Sequence, residues 1–403
     1  MGSFGCPVYT INPLTAPNPA LLKPIPYARQ EVTQDDLAAV EAALRHDYLT
    51  GGPGVGQFEE KFATYIGAPY AVAVSSGTAA LHLCALALEV TQGDRWLTTP
   101  LTFVASANCI LYAGGQIDLV DIDPETYLMD LDVLEQQLQS VPTGTYKGVV
   151  GVDFAGYPLD WNRLRQLADT YDLKLIEDSC HAPGARVHDG TGIEYGCGDG
   201  SLADLAIFSF HPTKHLTTAE GGIVTTGSKE LYQKLIQLRN HGITRDRELL
   251  NEDHGGWYYE MQMLGFNYRL SDLHCALGIS QLSRTSANLK RRREIAHRYD
   301  EAFASTPDIR PAPFHPGHAY HLYVIQSPDR KALYNHLREH GIFTQVHYIP
   351  VHFQPYYQEL GFQKGQFPQV EAYYEHCLSL PMFATLTDKE QDFVIEKIRQ
   401  FRG

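Results

Sequence analysis

Between residue 70 and about residue 227, short apolar runs alternate with longer stretches whose apolar residues recur every three or four positions. The runs at 71–74, 116–120, 148–152, 174–176, 205–208 and 222–225 read as strands. The stretches at 78–88, 105–113, 131–138, 161–171 and 229–239 read as helices. Strand–helix alternation predicts an α/β domain with a mainly parallel sheet covered on both faces, and such sheets bind ligands beyond the carboxyl ends of their strands. Ahead of this region, Thr33 can cap a helix whose first turn carries Asp35 and Asp36 and whose apolar set is Leu37, Val40, Ala43 and Leu44. A Gly-rich stretch at 51–56 then leads to a helix over 57–66. From about Asn288 the texture changes: a long basic helix over 289–303, Pro-rich text, a strand near 321–326, a helix near 330–340 and a strand near 343–347. The pattern divides the chain into a flexible extension (1–24), a large domain (25–287) and a smaller α+β domain (288–403).

Composition narrows the function more than the fold. The 403 residues carry a formal net charge of -15, which argues against nucleic acid as main partner. It leaves room for a phosphorylated small molecule, which needs only local donors. Seven scattered cysteines, none in a CxxC pair, fit reduced thiols in a cytoplasmic enzyme. No apolar run reaches the ~18 residues of a membrane span, and the N-terminus lacks the basic start and apolar block of a signal peptide. Residues 1–23, rich in Pro, Ala and Thr, read as an extension or as an arm packing on a neighbour. The 18 histidines invite a metal reading, but His315 with His318 and His347 with His352 lack companion ligands, so no metal is expected.

Three motifs carry chemistry. Ser75-Ser76-Gly77-Thr78-Ala79-Ala80-Leu81 follows a strand and opens a helix, where free N–H groups and hydroxyls suit a phosphate. Alone, it reads more readily as a simple capped turn. Leu175-Ile176-Glu177-Asp178-Ser179-Cys180-His181 places a carboxylate at the end of a buried strand, where it needs a positive partner such as a pyridinium nitrogen, or else caps the next loop. Phe208 through Gly222 delivers Lys214 from an apolar strand into a loop dense in hydroxyls and glycine. A partly desolvated lysine there becomes an amine nucleophile and base, although an isolated lysine is ordinarily a solvated charge. The order of the three on one alternating sheet changes the odds.

These motifs, with the 36-residue interval from Asp178 to Lys214, resemble the DegT/DnrJ/EryC1/StrS sugar-nucleotide aminotransferases. The likeness runs from about Pro26 to the C-terminus. It includes Ser-Gly-Thr-Ala-Ala-Leu at 76–81, Thr-Pro-Leu-Thr-Phe-Val-Ala-Ser-Ala-Asn at 99–108, Glu-Asp-Ser-Cys-His-Ala at 177–182 and Gly-Phe-Asn-Tyr-Arg-Leu-Ser-Asp at 265–272. Within the family, Ser-Phe-His-Pro-Thr-Lys, Ala-Leu-Gly-Ile-Ser-Gln-Leu at 276–282 and Gln-Val-His-Tyr-Ile-Pro-Val at 345–351 resemble the subgroup that aminates C4 of UDP-linked 4-keto-6-deoxy-2-acetamido sugars in pseudaminic acid synthesis.

The resemblance implies fold type I with a seven-stranded sheet, pyridoxal 5′-phosphate (PLP) as cofactor, L-glutamate as donor, and a homodimer with shared active sites. It implies that Lys214 anchors the cofactor and moves the proton, that Asp178 pairs with the ring nitrogen and that Phe103 stacks on the ring. Gly77, Thr78 and Ser209 would hold the phosphate, His181 would lie near the ring hydroxyl or incoming amine, and Asn267 would reach the phosphate from a neighbouring subunit. Tyr27, Thr50, His347 and Tyr348 would face the sugar, and 244–259 reads as a mobile lid. A dTDP- or GDP-linked sugar, a sugar dehydratase (whose lysine is commonly histidine, making His215 a register question) and a non-catalytic binding module stay open.

Overall fold

Apolar runs buried on both faces build the central sheet. The computed structural model describes residues 24–188, 194–306 and 308–402. Seven strands pair in one sheet: β1 (Tyr70–Val74), β2 (Arg95–Thr98), β3 (Gln116–Leu119), β4 (Tyr146–Val152) and β5 (Lys174–Asp178), then, beyond a hairpin of β6 (Arg186–His188) with β7 (Glu194–Gly196), β8 (Leu205–Ser209) and β9 (Gly222–Thr226). Their order is β1-β9-β8-β5-β4-β2-β3. Only β9 runs against its neighbours, so the sheet is mainly parallel, as the alternation predicts. The phosphate turn, Asp178 and Lys214 all follow carboxyl ends of strands on one edge of this layer.

Helices cover both faces: α1 (Gln34–Leu44), α2 (Pro53–Ile66), α3 (Gly77–Ala87), α4 (Ala105–Tyr112), α5 (Leu131–Gln139), α6 (Trp161–Tyr171) and α7 (Lys229–Leu238). α3 is buried almost all round, because its alanines let it pass close between β8 and β9 and the helices α4 and α7. Thr33 caps α1 in a reciprocal box with Asp36, as the sequence suggests. α2 starts at Pro53, four residues before the expected position. Its N-terminus is held from afar: Asp272 accepts from the N–H groups of Gly52 (2.9 Å) and Gly54 (2.8 Å).

The remaining elements are the hairpin β10 (Ile243–Thr244) with β11 (Glu260–Met261), α8 (Asp272–Leu282), α9 (Thr285–Phe303), β12 (Arg310–Pro311), β13 (Tyr323–Gln326), α10 (Arg330–Glu339), α11 (Pro355–Glu359), α12 (Pro368–His376), β14 (Cys377–Leu380) and α13 (Asp388–Arg402). β12, β13 and β14 form an antiparallel sheet, and a core of Ile295, Tyr299, Ile325, Leu337, Leu378 and Ile398 lies between it and the helices. Ile25 belongs to this core, with its N–H on Gly341 O at 2.9 Å. The chain thus begins its described course beside the C-terminal elements, not on the large sheet.

The expected strand near 343–347 does not form. Gln345 and Ser379 exchange a single pair of backbone bonds, and the Gln345 side chain then takes the next N–H, that of Val346. The segment leaves the sheet there and turns towards the large one. Residues 1–23 lie outside the described residues, so the expected extension is not addressed. The expected lid, 244–259, is the hairpin loop between β10 and β11; Glu260 ties it by accepting from the N–H groups of Asn251 and Glu252 and from the Tyr258 hydroxyl.

Candidate active site

The first component is the N-terminus of α3. Ser76 has extended backbone and its hydroxyl oxygen accepts from Ala79 N–H at 3.1 Å. The N–H groups of Gly77 and Thr78 belong to the first turn and have no intrahelical acceptor. Two glycines make the close approach possible. A Cβ on Gly77 would lie 3.0 Å from Ser209 Cβ, and one on Gly222 would lie 2.5 Å from the Ser76 carbonyl carbon. The turn therefore rests directly on the ends of β8 and β9.

The second component is Asp178, the last residue of β5 and buried. Ser106 donates to its Oδ2 at 2.6 Å and Cys180 N–H to its Oδ1 at 3.1 Å. Thr102 and Ser106 share a further hydroxyl contact at 2.7 Å. Among the described residues no cation pairs with Asp178, which is an uncommon state for a buried carboxylate.

The third is Lys214. Its loop joins β8 to β9 and is braced internally: Thr217 donates to Phe210 O at 2.9 Å and Thr218 to Glu220 O at 2.7 Å. The hydroxyl density noted in the sequence is thus largely committed to holding the loop. Burial lowers the lysine's pKa, opposed by Cys180 and Asp178. His215 points the other way, its ring N–H on Ala319 O at 2.9 Å, so the register question resolves in favour of Lys214 as the cleft residue.

The opposite wall comes from distant segments. His181 is buried between Phe154, His321 and Tyr348, stacking on the His321 ring at 4.3 Å. Its tautomer is fixed. Ala155 N–H donates to Nδ1 at 3.2 Å, so a neutral ring carries its proton on Nε2, which contacts the Tyr348 hydroxyl at 3.2 Å. Tyr348 then accepts from His181, and its own O–H is left to donate into the cleft. His347 bonds Ser379 at 2.8 Å and packs against Tyr27.

All of this lines one cleft of about 340 Å³. The structure brings together Tyr27, Gly77, Thr78, Phe103, Asp178, His181, Ser209, Lys214, His347 and Tyr348. Residues 30–399 match the DegT/DnrJ/EryC1/StrS aminotransferase family.

The chain belongs to the DegT/DnrJ/EryC1/StrS aminotransferase family.

Relatives agree along almost the whole length. The spore coat polysaccharide biosynthesis protein SpsC of Bacillus subtilis is 37% identical over 385 residues, 93% of this chain and 96% of the relative. The UDP-4-amino-4,6-dideoxy-N-acetyl-beta-L-altrosamine transaminase of Campylobacter jejuni serotype O:23/36 is 37% identical over 379 residues, 92% of this chain and 95% of the relative. The solved structure of Streptococcus pneumoniae Spr1654 in its PLP form superposes with a TM-score of 0.84 at 30% identity, covering 94% of this chain and 98% of that one.

The family's aminotransferases depend on PLP, and this cleft fits the cofactor on its own terms. A buried carboxylate lacks a cation, a desolvated lysine lacks an anion, and a helix N-terminus offers first-turn N–H groups to an anion. Phe103 exposes 57% of its surface in the cleft, enough for an aromatic ring to lie on it.

Two expected residues fall outside. Thr50 is exposed near the start of α2, and Asn267 is exposed at a bridge to Asn240. The sequence reading missed Ser106 and Thr102, although both lie in the quoted 99–108 string, and missed His321. A further buried group, Asp153, Glu177 and Cys197, brings ligand-type atoms within 4.8 Å of one another. Its carboxylates already share the Ser179 hydroxyl, and burial together with the Asp153 charge drives the Glu177 pKa up.

Five buried histidines give the apoprotein an acid sensitivity. Burial lowers the pKa of His181, His215 and His321 strongly and brings His318 and His347 to about 3. Below pH ~6.5 the unfolded chain binds protons at these sites while the folded one does not, so stability falls as pH falls. Each contributes up to about 1.4 kcal/mol per pH unit, and the raised pKa values of Glu177 and Asp153 act in the opposite direction. Urea midpoints measured from pH 7 to 5 should decline steadily; a flat profile would contradict the buried neutral assignment.

Proposed function

We propose that the protein transfers the amino group of L-glutamate to C4 of a UDP-linked 4-keto-6-deoxy-2-acetamido sugar of the pseudaminic acid type. The supporting observation is the convergence of Lys214, Asp178 and the α3 N-terminus in one cleft, on a chain 37% identical to the C. jejuni transaminase. PLP, when bound, supplies the electron sink. Gly77 and Thr78 N–H groups and Ser209 would hold its phosphate. Asp178, whose carboxylate accepts from the Ser106 hydroxyl, would meet the ring nitrogen. Phe103 would stack on the ring. Lys214, its pKa lowered by burial, is placed to take a proton from the donor's Cα.

Tyr27, His347 and Tyr348 form the sugar wall, where the smaller unit (288–403), joined by the segment at Ile25, meets the large one. His181 acts through Tyr348, aiming its O–H at an acceptor oxygen of the substrate. Tyr348→Phe keeps the ring and removes only that donor, so glutamate turnover should persist while KM for the keto sugar rises about 5- to 30-fold. An unchanged KM would remove Tyr348 from the wall. Thr50 and Asn267, exposed in the single chain, contribute across a homodimer, so activity should fall on dilution to monomers.

No helix among the described residues is long and apolar enough to cross a membrane, and a cytoplasmic enzyme would meet both substrates. The test is mass spectrometry of products from glutamate with UDP-, dTDP- and GDP-linked keto sugars. A mass gain of one amine for C=O on the UDP substrate alone supports the reading. SpsC, a polysaccharide biosynthesis protein, is as similar as the transaminase, and dTDP- or GDP-linked substrates are the second reading. Amination of those alone would establish it.

A further inference from the structure

Arg292 of α9 is a buried charge whose bonds go to the main chain. It is 3% exposed, and burial pulls its guanidinium down to about 10, so it stays charged at neutral pH. A buried charge ordinarily has an opposite charge against it. Arg292 forms no ion pair among the described residues. Its Nη1 donates instead to three carbonyls: Tyr320 O at 3.1 Å, His321 O at 3.2 Å and Met382 O at 3.1 Å. Charge-assisted bonds are roughly twice as strong as neutral ones, which suits a donor that joins separate segments.

These carbonyls belong to two segments that carry one wall of the cleft. Tyr320 and His321 form the first. Tyr320 is held at φ +47°, a left-handed conformation that costs an L residue backbone energy and persists only where its surroundings impose it. The turn presents two successive carbonyls to one donor, whereas an extended chain points them to opposite sides. The His321 ring that follows lines the cleft and stacks on His181 at 4.3 Å, and His181 meets the Tyr348 hydroxyl. Met382 belongs to the second segment. Its own N–H donates to Tyr27 O at 2.9 Å, and Tyr27 packs against His347. One guanidinium, itself outside the cleft, thus ties the Tyr27 segment to the turn behind the His321, His181 and Tyr348 rings. None of these bonds reaches Asp178, Ser209 or Lys214.

We propose that Arg292 is a positioning residue for the keto sugar: it fixes the spacing between the Tyr27 segment and the His321 turn, and so sets how tightly the second substrate is held. The inference rests on the transaminase reading of the cleft. The glutamate half of the reaction uses the end of the cleft that carries Asp178 and Lys214, and does not depend on the clamp.

The test compares R292M and R292K with I295V, which thins the core beside the same helix without touching the clamp. In single turnovers of PLP-loaded protein, glutamate should bleach the visible band of all three at rates within about twofold of the parent. KM for the UDP-linked keto sugar should rise about 10-fold in R292M and about 3-fold in R292K, and stay within about twofold in I295V. Crystal structures of the cofactor-free parent and R292M give a readout that needs no turnover. Tyr320 should leave the left-handed conformation and His321 should lose its stack on His181, with Asp178 and Lys214 in place. An unchanged sugar KM in R292M overturns the proposal. So does a glutamate rate that falls in step with it, or a Tyr320 that keeps its φ. If R292M does not fold, a sugar KM for R292K equal to the parent's overturns it as well. Absence of turnover in the parent would instead strike the transaminase reading and leave the crystallographic comparison to decide.

Discussion

Lys214→Ala will cost at least on the order of 10³-fold in turnover and will leave the PLP-loaded protein without the visible band that glutamate bleaches in the parent. In the proposed reaction the amine is both the anchor and the proton carrier. His215, the adjacent candidate, has its N–H committed to Ala319 O and does not line the cleft. His181 has its Nδ1 occupied by Ala155 and is kept neutral by burial, so it is not a free base either. The variant should fold: Lys214 makes no ion pair among the described residues, and the relief of its desolvation offsets the loss of its favourable charge beside Asp178. Thermal unfolding of the apoprotein should therefore stay close to the parent. Absorbance and single-turnover rates with glutamate check the claim. Activity within tenfold of the parent would sink it.

Asp178→Asn should lower turnover by about 10²–10³-fold while leaving the apoprotein at least as stable. The amide keeps the shape and one acceptor oxygen for Ser106, but it cannot hold a cationic ring nitrogen. In the apoprotein the carboxylate is buried without a counter-ion, so neutralising it relieves a cost. With PLP present the order reverses, because ligand stabilisation scales with affinity. The measurement is the melting shift on adding PLP, large in the parent and small in the variant. Equal shifts would show that Asp178 does not meet the cofactor.

The central sheet was readable because its strands are short and apolar on both faces, as in β4 and β8, and its helices are amphipathic. Lys214 and Asp178 were readable because each sits at the end of such a run. What was not readable depends on distant parts of the chain. Asp272 caps α2 from 220 residues away, so the glycines before Gln57 looked like loop. Ser106 is one of several hydroxyls in its string, and only the fold selects it as the donor to Asp178. The segment at 343–347 has strand-like composition, yet its pairing with β14 stops at the single Gln345–Ser379 bridge. Thr50 and Asn267 cannot be placed against the cleft from one chain.

The two walls of the cleft have separate origins. The wall with Gly77, Asp178, Ser209 and Lys214 is fixed by adjacent ends of one sheet, where a shift of any strand would disturb the others. The wall with Tyr27, His321, His347 and Tyr348 hangs on segments that touch that sheet at few points. Loop exchange is therefore a practical route to new specificity. Grafting 345–352 from a relative with a different acceptor should change which sugar is aminated and leave the spectrum with PLP as it was.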